Sequence, residues 1–172
     1  MPDISDSMSI HAFLREAHVP YSVVPHEPAF TAQEGAAATH VPGRDWAKVV
    51  VCVVDGQPVQ AVVPATFIVN LERFLELTGG GAVRVASNDE LPGLFPGCEP
   101  GAVPPFGPLW GQPIFADVRL AAEPEIVFNA GTSTEAIAMR WADFARSIRP
   151  IVGNFAQPSH DRVGAYRLSS AE

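Results

Sequence analysis

The segment KVVVCVVDGQPVQAVVPA, residues 48–65, constrains the fold of this chain more than any other. Two runs of β-branched and apolar residues flank an Asp-Gly pair, and Asp-Gly between such runs predicts a β-hairpin with a two-residue turn. Both runs are apolar at nearly every position, so both faces of the hairpin are expected to be buried. The rest of the chain must therefore cover the hairpin from two sides.

Shorter signals around the hairpin alternate between helix and strand. Apolar residues at helical spacing predict a helix over residues 9–17, and the capping box TAQE at Thr31 begins a second helix. Asn70 is positioned to cap a third helix, and Ser87 begins another capping box. QPIFADVRL, EIVFN and AIAMRW predict strands, and ADFARSI predicts a last helix. This order indicates an α+β fold, with a mixed, mainly antiparallel sheet and helices packed around it.

Length and composition are those of one domain. The 172 residues, of which 47% are hydrophobic, suffice for one core and are too few for two ordinary domains. We assign residues 1–157 to a single domain and residues 158–172 to a C-terminal tail that lacks apolar periodicity. No apolar run approaches the roughly 20 residues of a membrane span, and no secretory signal is evident. We therefore expect a cytoplasmic protein without membrane contact.

Charge and cysteine content exclude several kinds of site. A net charge of −8 argues against DNA as a partner and against broad nucleic-acid binding, although a small local contact stays open. Cys52 and Cys98 lack the spacing of a zinc site or a disulfide framework, so both are expected to be reduced. His11 and His18 lie two helical turns apart without a third ligand. We predict no metal and no cofactor.

Lys48 is the one lysine among ten arginines. It begins the first hairpin strand, where alternation places it on the same face as Val50 and Cys52. A compact, rotatable ammonium differs chemically from the planar guanidinium group used elsewhere in the chain. Burial would lower the pKa of Lys48, whereas a nearby phosphate would raise it. A surface lysine at a strand end is the simpler alternative, and the residue pattern leaves both open.

The loop GCEPGAVPPFG, residues 97–107, is the second feature with possible chemistry. It contains three glycines and three prolines, which predict a rigid loop. The amides of Gly101, Ala102 and Val103 are the donors at its tip, because Pro104 and Pro105 have none. Donors fixed around a reacting carbonyl stabilise the oxyanion of acyl transfer. A stiff connection between a helix and a strand explains the same residues.

Four segments, taken in order and at their spacing, resemble the YbaK/ProX group of aminoacyl-tRNA deacylases. They are TAQEGA, AKVVVCVV with its lysine, GAVPPFG as a Gly-x-x-x-Pro loop, and FNAG. The resemblance covers roughly residues 9–155. It implies a free-standing domain related to the editing domain of bacterial prolyl-tRNA synthetases, which hydrolyses the ester between a wrong amino acid and tRNA. By this resemblance, Lys48 and Gly101 are the catalytic residues.

The resemblance also implies how the site works. The loop amides hold the aminoacyl carbonyl, Lys48 contacts the terminal nucleotide, and the vicinal ribose hydroxyl helps to activate water. No protein nucleophile is then needed, and Cys98 has no activating cation near it in the sequence. Lys48 and the loop should therefore border one pocket. The expected substrate-binding residues are His26, Phe30, Thr31, Ala102, Val103, Pro105, Asn129, Gly131 and Thr132.

The segment NAGTST bears on the substrate. Members that discharge cysteine have an aspartate after the glycine, and FNAG with a late VGNF resembles members that remove serine or threonine. We therefore expect a trans-editing hydrolase for small amino acids such as alanine, serine and threonine. Its expected partner is the tRNA acceptor end, with an aminoacyl-tRNA synthetase as a candidate second partner. The alternative is a non-catalytic module of the same fold that binds an aminoacyl or nucleotide ligand.

Overall fold

The computed structural model describes residues 8–159, which form six α-helices and ten β-strands. The helices are α1 (Met8–Glu16), α2 (Ala32–Thr39), α3 (Leu71–Thr78), α4 (Leu91–Leu94), α5 (Val118–Ala121) and α6 (Trp141–Ile148). The strands are β1 (Ser22–Pro25), β2 (Ala47–Val54), β3 (Gln57–Pro64), β4 (Phe67–Val69), β5 (Val83–Val85), β6 (Ile114–Asp117), β7 (Glu125–Thr132), β8 (Glu135–Arg140), β9 (Ile151–Gly153) and β10 (Ala156–Pro158).

The described strands form three sheets rather than one. Five strands lie in the order β5-β2-β3-β6-β9, three in the order β1-β8-β7, and β4 pairs with β10. The pairs β3–β6 and β6–β9 are parallel, and the other pairs are antiparallel. The predicted α+β class with mainly antiparallel pairing is therefore confirmed, and the single sheet is corrected to three.

The predicted hairpin is β2 and β3, and it is buried on both faces. Asp55 and Gly56 at its turn have φ angles of +50° and +83°, the left-handed conformations that a two-residue turn requires. On one face, Cys52 packs in a cluster with Phe74. On the other face, Val51 packs in a separate cluster. The hairpin thus separates two parts of the core, as its continuous apolar pattern predicts.

Side-chain caps begin the second and third helices where the sequence predicts them. Thr31 Oγ1 accepts a hydrogen bond from the Glu34 N–H at 3.0 Å, and Asn70 Oδ1 accepts one from the Arg73 N–H at 3.0 Å. The Glu34 carboxylate reaches back to the N–H of Phe30 at 2.9 Å, one residue before the cap. This bond fixes the chain that enters α2. The start of α2 forms one wall of the cavity described below.

Two predicted boundaries differ from the structure. The strand predicted in QPIFADVRL ends at Asp117, because the Asp117 carboxylate accepts the Arg119 N–H and begins α5. Strand β10 extends one residue into the predicted tail of residues 158–172, because Pro158 pairs with Phe67 in β4. The remainder of the predicted tail, residues 160–172, lies outside the described residues. Within residues 8–159, no helix has the length and apolarity needed to cross a membrane.

Candidate active site

A cavity of about 350 Å³ opens between β2, the start of α2 and the loop that follows α4. Its volume lies in the range of small-ligand sites, which is roughly 300–1,000 Å³. The residues that line it are Phe30, Thr31, Ala32, Lys48, Val49, Val50, Val51, Val85, Ala86, Asn88, Leu91, Pro100, Gly101, Val103 and Asn129. Lys48 and the loop residue Gly101 both belong to this lining, so the expected convergence on one pocket is confirmed.

Lys48 is held at the second position of β2 with most of its side chain buried. Its Nζ donates a hydrogen bond to the Phe67 carbonyl in β4 at 2.6 Å. Burial lowers the pKa of Lys48 from 10.5 to about 8. The bond to Phe67 favours the charged form, so desolvation is the larger of the two effects. Among the side chains that line the cavity, Lys48 is the charged one.

The loop presents fewer donors than the sequence predicts. Pro100–Ala102 form one turn of 3-10 helix, in which the Ala102 N–H donates to the Glu99 carbonyl at 2.9 Å. The Ala102 amide is therefore already engaged, and its side chain is buried. Within the described residues, the Gly101 N–H has no acceptor, and Val103 makes no capping hydrogen bond. Gly101 and Val103 remain as donors for a ligand.

A buried glutamine fixes the end of the loop. Gln60 on β3 is fully buried, and its Nε2 donates to the Pro104 carbonyl at 3.0 Å. The Gln60 Oε1 accepts the Gly107 N–H at 3.0 Å. Both polar atoms of one side chain thus hold the loop backbone against the central sheet.

The beginning of the loop is fixed to β7. The Asn129 Nδ2 donates to the Gly101 carbonyl at 3.3 Å. The Glu99 N–H donates to the Gly131 carbonyl at 2.9 Å, and its carboxylate accepts the Ser133 N–H at 2.7 Å. These contacts hold the carbonyl side of Gly101 and leave its N–H without an acceptor in the described chain.

Glycine is required at position 101 by a close approach of two backbone segments. A Cβ at Gly101 would lie 2.8 Å from the Phe30 carbonyl oxygen, closer than such atoms approach without a shift in the backbone. The Phe30 ring itself is 68% exposed and stands at the cavity rim. The loop can therefore pack directly on the start of α2 only with glycine at this position.

Five of the predicted substrate-binding residues are not part of the cavity lining, namely His26, Ala102, Pro105, Gly131 and Thr132. The His26 Nδ1 lies 2.7 Å from the Glu27 carbonyl, and its ring packs edge-on against Trp46. Gly131 has a φ of +100° at the irregularity in β7. Pro105 is buried behind the loop tip. These five residues therefore do not contact the cavity directly.

Sequence reasoning missed one side of the cavity entirely. The cavity is also lined by Val49 and Val51 on β2 and by Val85, Ala86, Asn88 and Leu91. The sequence predicts these residues only as parts of strands and helices. Asn88 could have been noticed as a polar residue in the turn that precedes α4. Asn88 lies near β2 because β5 pairs with the hairpin. No local sequence pattern specifies that pairing.

Other candidate groups lie away from this chemistry. Burial raises the pKa of Cys98 to about 11 and that of Cys52 to about 12, so both are thiols at neutral pH. Arg44 lies 3.9 Å from Glu123, and Arg140 pairs with Asp143. Neither arginine lines the cavity, so neither adds positive charge to its lining. Within residues 8–159, no group of three or more His, Cys, Asp or Glu side chains is placed to hold a metal ion.

Similarity to known proteins agrees with this geometry. Residues 26–147 match the family described as the aminoacyl-tRNA editing domain. The chain belongs to this family. The aminoacyl-tRNA editing domain thus covers both the hairpin and the loop, and the predicted family and enzyme class, an aminoacyl-tRNA deacylase, are confirmed.

Relatives of this editing domain include one protein with a named activity. The multifunctional Ser/Thr-tRNA deacylase ProXp-y of Escherichia coli K12 is 29% identical over 155 residues, which are 84% of this chain and 89% of that protein. The crystal structure of a candidate trans-editing enzyme for prolyl tRNA synthetase matches with a TM-score of 0.75 and 22% identity, covering 91% of this chain and 99% of the other. A hypothetical protein, APE2540, matches with a TM-score of 0.78 and 18% identity, covering 86% and 99%. The two structural matches support the fold of the editing domain.

Proposed function

We propose that this protein is a trans-editing hydrolase that cleaves the ester of mischarged tRNA carrying a small amino acid such as serine, threonine or alanine. The observation that carries the proposal is that Lys48 and the unengaged Gly101 N–H border one cavity of about 350 Å³. The similarity to a Ser/Thr-tRNA deacylase supports the same reaction.

The proposed reaction uses the backbone more than side chains. The Gly101 N–H donates to the ester carbonyl oxygen, and this bond strengthens as negative charge develops there. Water attacks the carbonyl carbon, the bond to the ribose oxygen breaks, and that oxygen takes up a proton as the amino acid leaves. By the family resemblance, the vicinal ribose hydroxyl orients the water. Lys48 donates to the terminal nucleotide and holds the ester against the loop.

The walls near Gly101 favour a small side chain. Thr31 and Ala32 begin α2 at this end of the cavity, and the contact of Gly101 with the Phe30 carbonyl leaves little room to widen it. Steric exclusion by a rigid wall is strong, whereas side chains that differ by one methylene are separated by only about 1–3 kcal/mol. The cavity should therefore exclude bulky side chains but discriminate only weakly among small ones. We expect overlapping activity on seryl, threonyl and alanyl esters.

Three finer statements remain predictions. The tRNA acceptor end is the expected partner, and an aminoacyl-tRNA synthetase is the candidate second partner. A cytoplasmic location is expected because aminoacyl-tRNA is made and used there. The alternative function, a module that binds an aminoacyl or nucleotide ligand without turnover, would keep the cavity but would not need the Gly101 amide.

A panel of mischarged tRNAs tests the proposal. We expect the protein to hydrolyse seryl-, threonyl- and alanyl-tRNA and to leave phenylalanyl- and leucyl-tRNA nearly intact, measured as loss of labelled amino acid over time. A reaction without protein gives the rate of spontaneous hydrolysis, and Lys48→Ala serves as the matched variant of low activity. Rapid hydrolysis of phenylalanyl-tRNA would contradict the size argument, and binding of mischarged tRNA without hydrolysis of any ester would favour the binding module.

A further inference from the structure

Strand β2 leaves part of its backbone open toward the cavity. β5 pairs with β2 only from Cys52 to Val54, and the last bond along that edge runs from the Ala86 N–H to the Val51 carbonyl at 2.8 Å. β3 covers the whole opposite edge of β2. Val49 therefore has no hydrogen-bonded neighbouring strand on the cavity side within the described chain.

The alternation of the β2–β3 ladder shows where the Val49 backbone points. The Gln60 N–H donates to the Pro113 carbonyl at 2.9 Å, so the Gln60 backbone faces β6 and its pair with Val51 has no hydrogen bonds between the two strands. Val49 and Val62, two residues further, form the next pair of this kind. The N–H and the C=O of Val49 thus point away from β3, and Val49 lines the cavity.

The cavity has two chemically different ends, with this open edge between them. One end lies at the loop and α2, and its residues are Phe30, Thr31, Ala32, Gly101 and Asn129. The other end lies between β5 and α4, and its residues are Val85, Ala86, Asn88 and Leu91. The proposed function assigns the ester to the first end. The second end is mostly apolar and has no role in the steps of hydrolysis.

We propose that the Val49 N–H and C=O, with the apolar end from Val85 to Leu91, bind the terminal adenine of the tRNA. This inference rests on the proposed function. Adenine carries an amino donor beside a ring-nitrogen acceptor, and proteins that read unpaired RNA bases bond such edges while packing side chains on the ring. The Val49 carbonyl accepts from the adenine amino group, and the Val49 N–H donates to the ring nitrogen. The apolar side chains of Val85 and Leu91 cover the flat face of the ring.

The open edge is too short for a peptide strand. It is bounded at one end by the bond between Ala86 and Val51, and at the other end by the bridge between Trp46 and Val127. A peptide added to a sheet edge needs several consecutive residues with free backbone groups. A flat base with one donor and one acceptor needs only a single such residue.

Two nucleotides that differ only at this edge test the assignment. Inosine 5′-monophosphate has the donor and the acceptor exchanged relative to adenosine 5′-monophosphate, with the same ribose and phosphate. In the ¹⁵N-labelled full-length protein, we expect millimolar adenosine monophosphate to move the Val49 amide resonance and slow its hydrogen exchange, while inosine monophosphate leaves it unchanged. Equal responses to both nucleotides, or no response of Val49 to either, would overturn the proposal.

A substrate series provides the functional test. Seryl-tRNA ending in N6,N6-dimethyladenosine or inosine is expected to be hydrolysed with kcat/KM about three- to tenfold lower than seryl-tRNA ending in adenosine. Equal efficiency with all three ends would refute the adenine assignment while leaving the deacylase intact. If no adenosine-ended substrate is hydrolysed, the proposed function fails, and the nucleotide titration still decides the binding site by itself.

A pair of variants tests the apolar end. Ala86→Leu fills the space between β5 and α4 and is expected to abolish the adenosine monophosphate response of Val49. Ala82→Leu is the matched control, because Ala82 is exposed and lies outside the cavity lining. An unchanged Val49 response in a folded Ala86→Leu variant would place the nucleotide elsewhere and contradict the proposal.

Discussion

Lys48 combines a buried position with a charge that the proposed reaction needs. Removing the ammonium in Lys48→Ala deletes a charge-assisted hydrogen bond to the substrate, and such bonds contribute roughly 1.5–3 kcal/mol. We expect kcat/KM on seryl-tRNA to fall by about one to two decades. A single-turnover assay on seryl-tRNA compares the wild-type protein with Lys48→Ala. Circular dichroism verifies that the variant is folded.

Lys48→Arg separates charge from shape. The guanidinium keeps the charge but needs a wider, planar space, and Lys48 Nζ lies only 2.6 Å from the Phe67 carbonyl. We expect arginine to restore less than a tenth of the lost activity. Wild-type activity in Lys48→Arg would mean that positive charge alone is sufficient.

Burial of the same lysine predicts a pH-dependent stability. The pKa of Lys48 is about 8 in the folded chain and near 10.5 when exposed, so above pH 8 the unfolded chain holds more protons and wild-type stability rises with pH. Lys48→Met removes a desolvation penalty of about 3 kcal/mol at neutral pH, partly offset by the lost bond to Phe67. We expect its melting temperature to exceed wild type by about 5 °C at pH 7.

The comparison should be repeated across pH. The difference in melting temperature between Lys48→Met and wild type should stay constant below pH 8 and shrink between pH 8 and 10. Because the chain has no other lysine, no second lysine side chain titrates in this range. A difference that stays constant up to pH 10 would show that the pKa of Lys48 is not lowered in the folded chain.

At the scale of elements, the loop depends on one glycine. Gly101→Ala places a methyl carbon 2.8 Å from the Phe30 carbonyl oxygen, so the loop must move away from α2 and carry the amide with it. Removing one oxyanion donor typically lowers kcat by about 10²–10³, and we expect a loss of this order. Gly93→Ala is the control, since nothing lies within 4 Å of a Cβ at that position. Equal activity of the two variants would rule out the Gly101 amide as a donor.

The loop also depends on Gln60. In Gln60→Leu, the Pro104 carbonyl and the Gly107 N–H lose their partner, and each buried unsatisfied group costs about 1–3 kcal/mol. We expect a melting temperature lower by several degrees and a further loss of activity from the mobile loop. Gln57→Leu, on the same strand but exposed, should change neither. Thermal unfolding with both variants measures the difference.

The elements that the sequence predicts well are those with a local cause. The Asp55 turn, the Thr31 cap and the Asn70 cap each involve residues within a few positions, so composition and spacing suffice. Strands β4, β9 and β10 were missed, because each has only three residues and shows no clear periodicity. The cavity wall at Val49 depends on where β5 stops pairing with β2, which is a tertiary property. The loop is evident from its glycines and prolines, but the engagement of the Ala102 amide depends on a 3-10 turn that these residues do not specify.

At the scale of the whole molecule, charge limits how the protein holds tRNA. The net charge is −8, and Lys48 is the charged side chain in the cavity lining. With one or two phosphate contacts, kcat/KM should fall only about three- to sevenfold between 50 and 200 mM salt, against at least a thousandfold for proteins with many contacts. Steady-state assays in potassium chloride provide the measurement. A hundredfold fall would reveal a larger basic surface than the described residues provide.

The pairing of β4 with β10 has a consequence for the time at which the site is completed. The Phe67 carbonyl that receives the Lys48 ammonium belongs to β4, and the partner of β4 is the last strand described, Ala156–Pro158. A ribosome synthesises the chain from its N-terminus, so the hairpin and the loop emerge long before β10. The lysine anchor is therefore among the last parts of the molecule to become fixed, and a nascent chain acquires its ability to hold tRNA only after nearly all of the fold is in place.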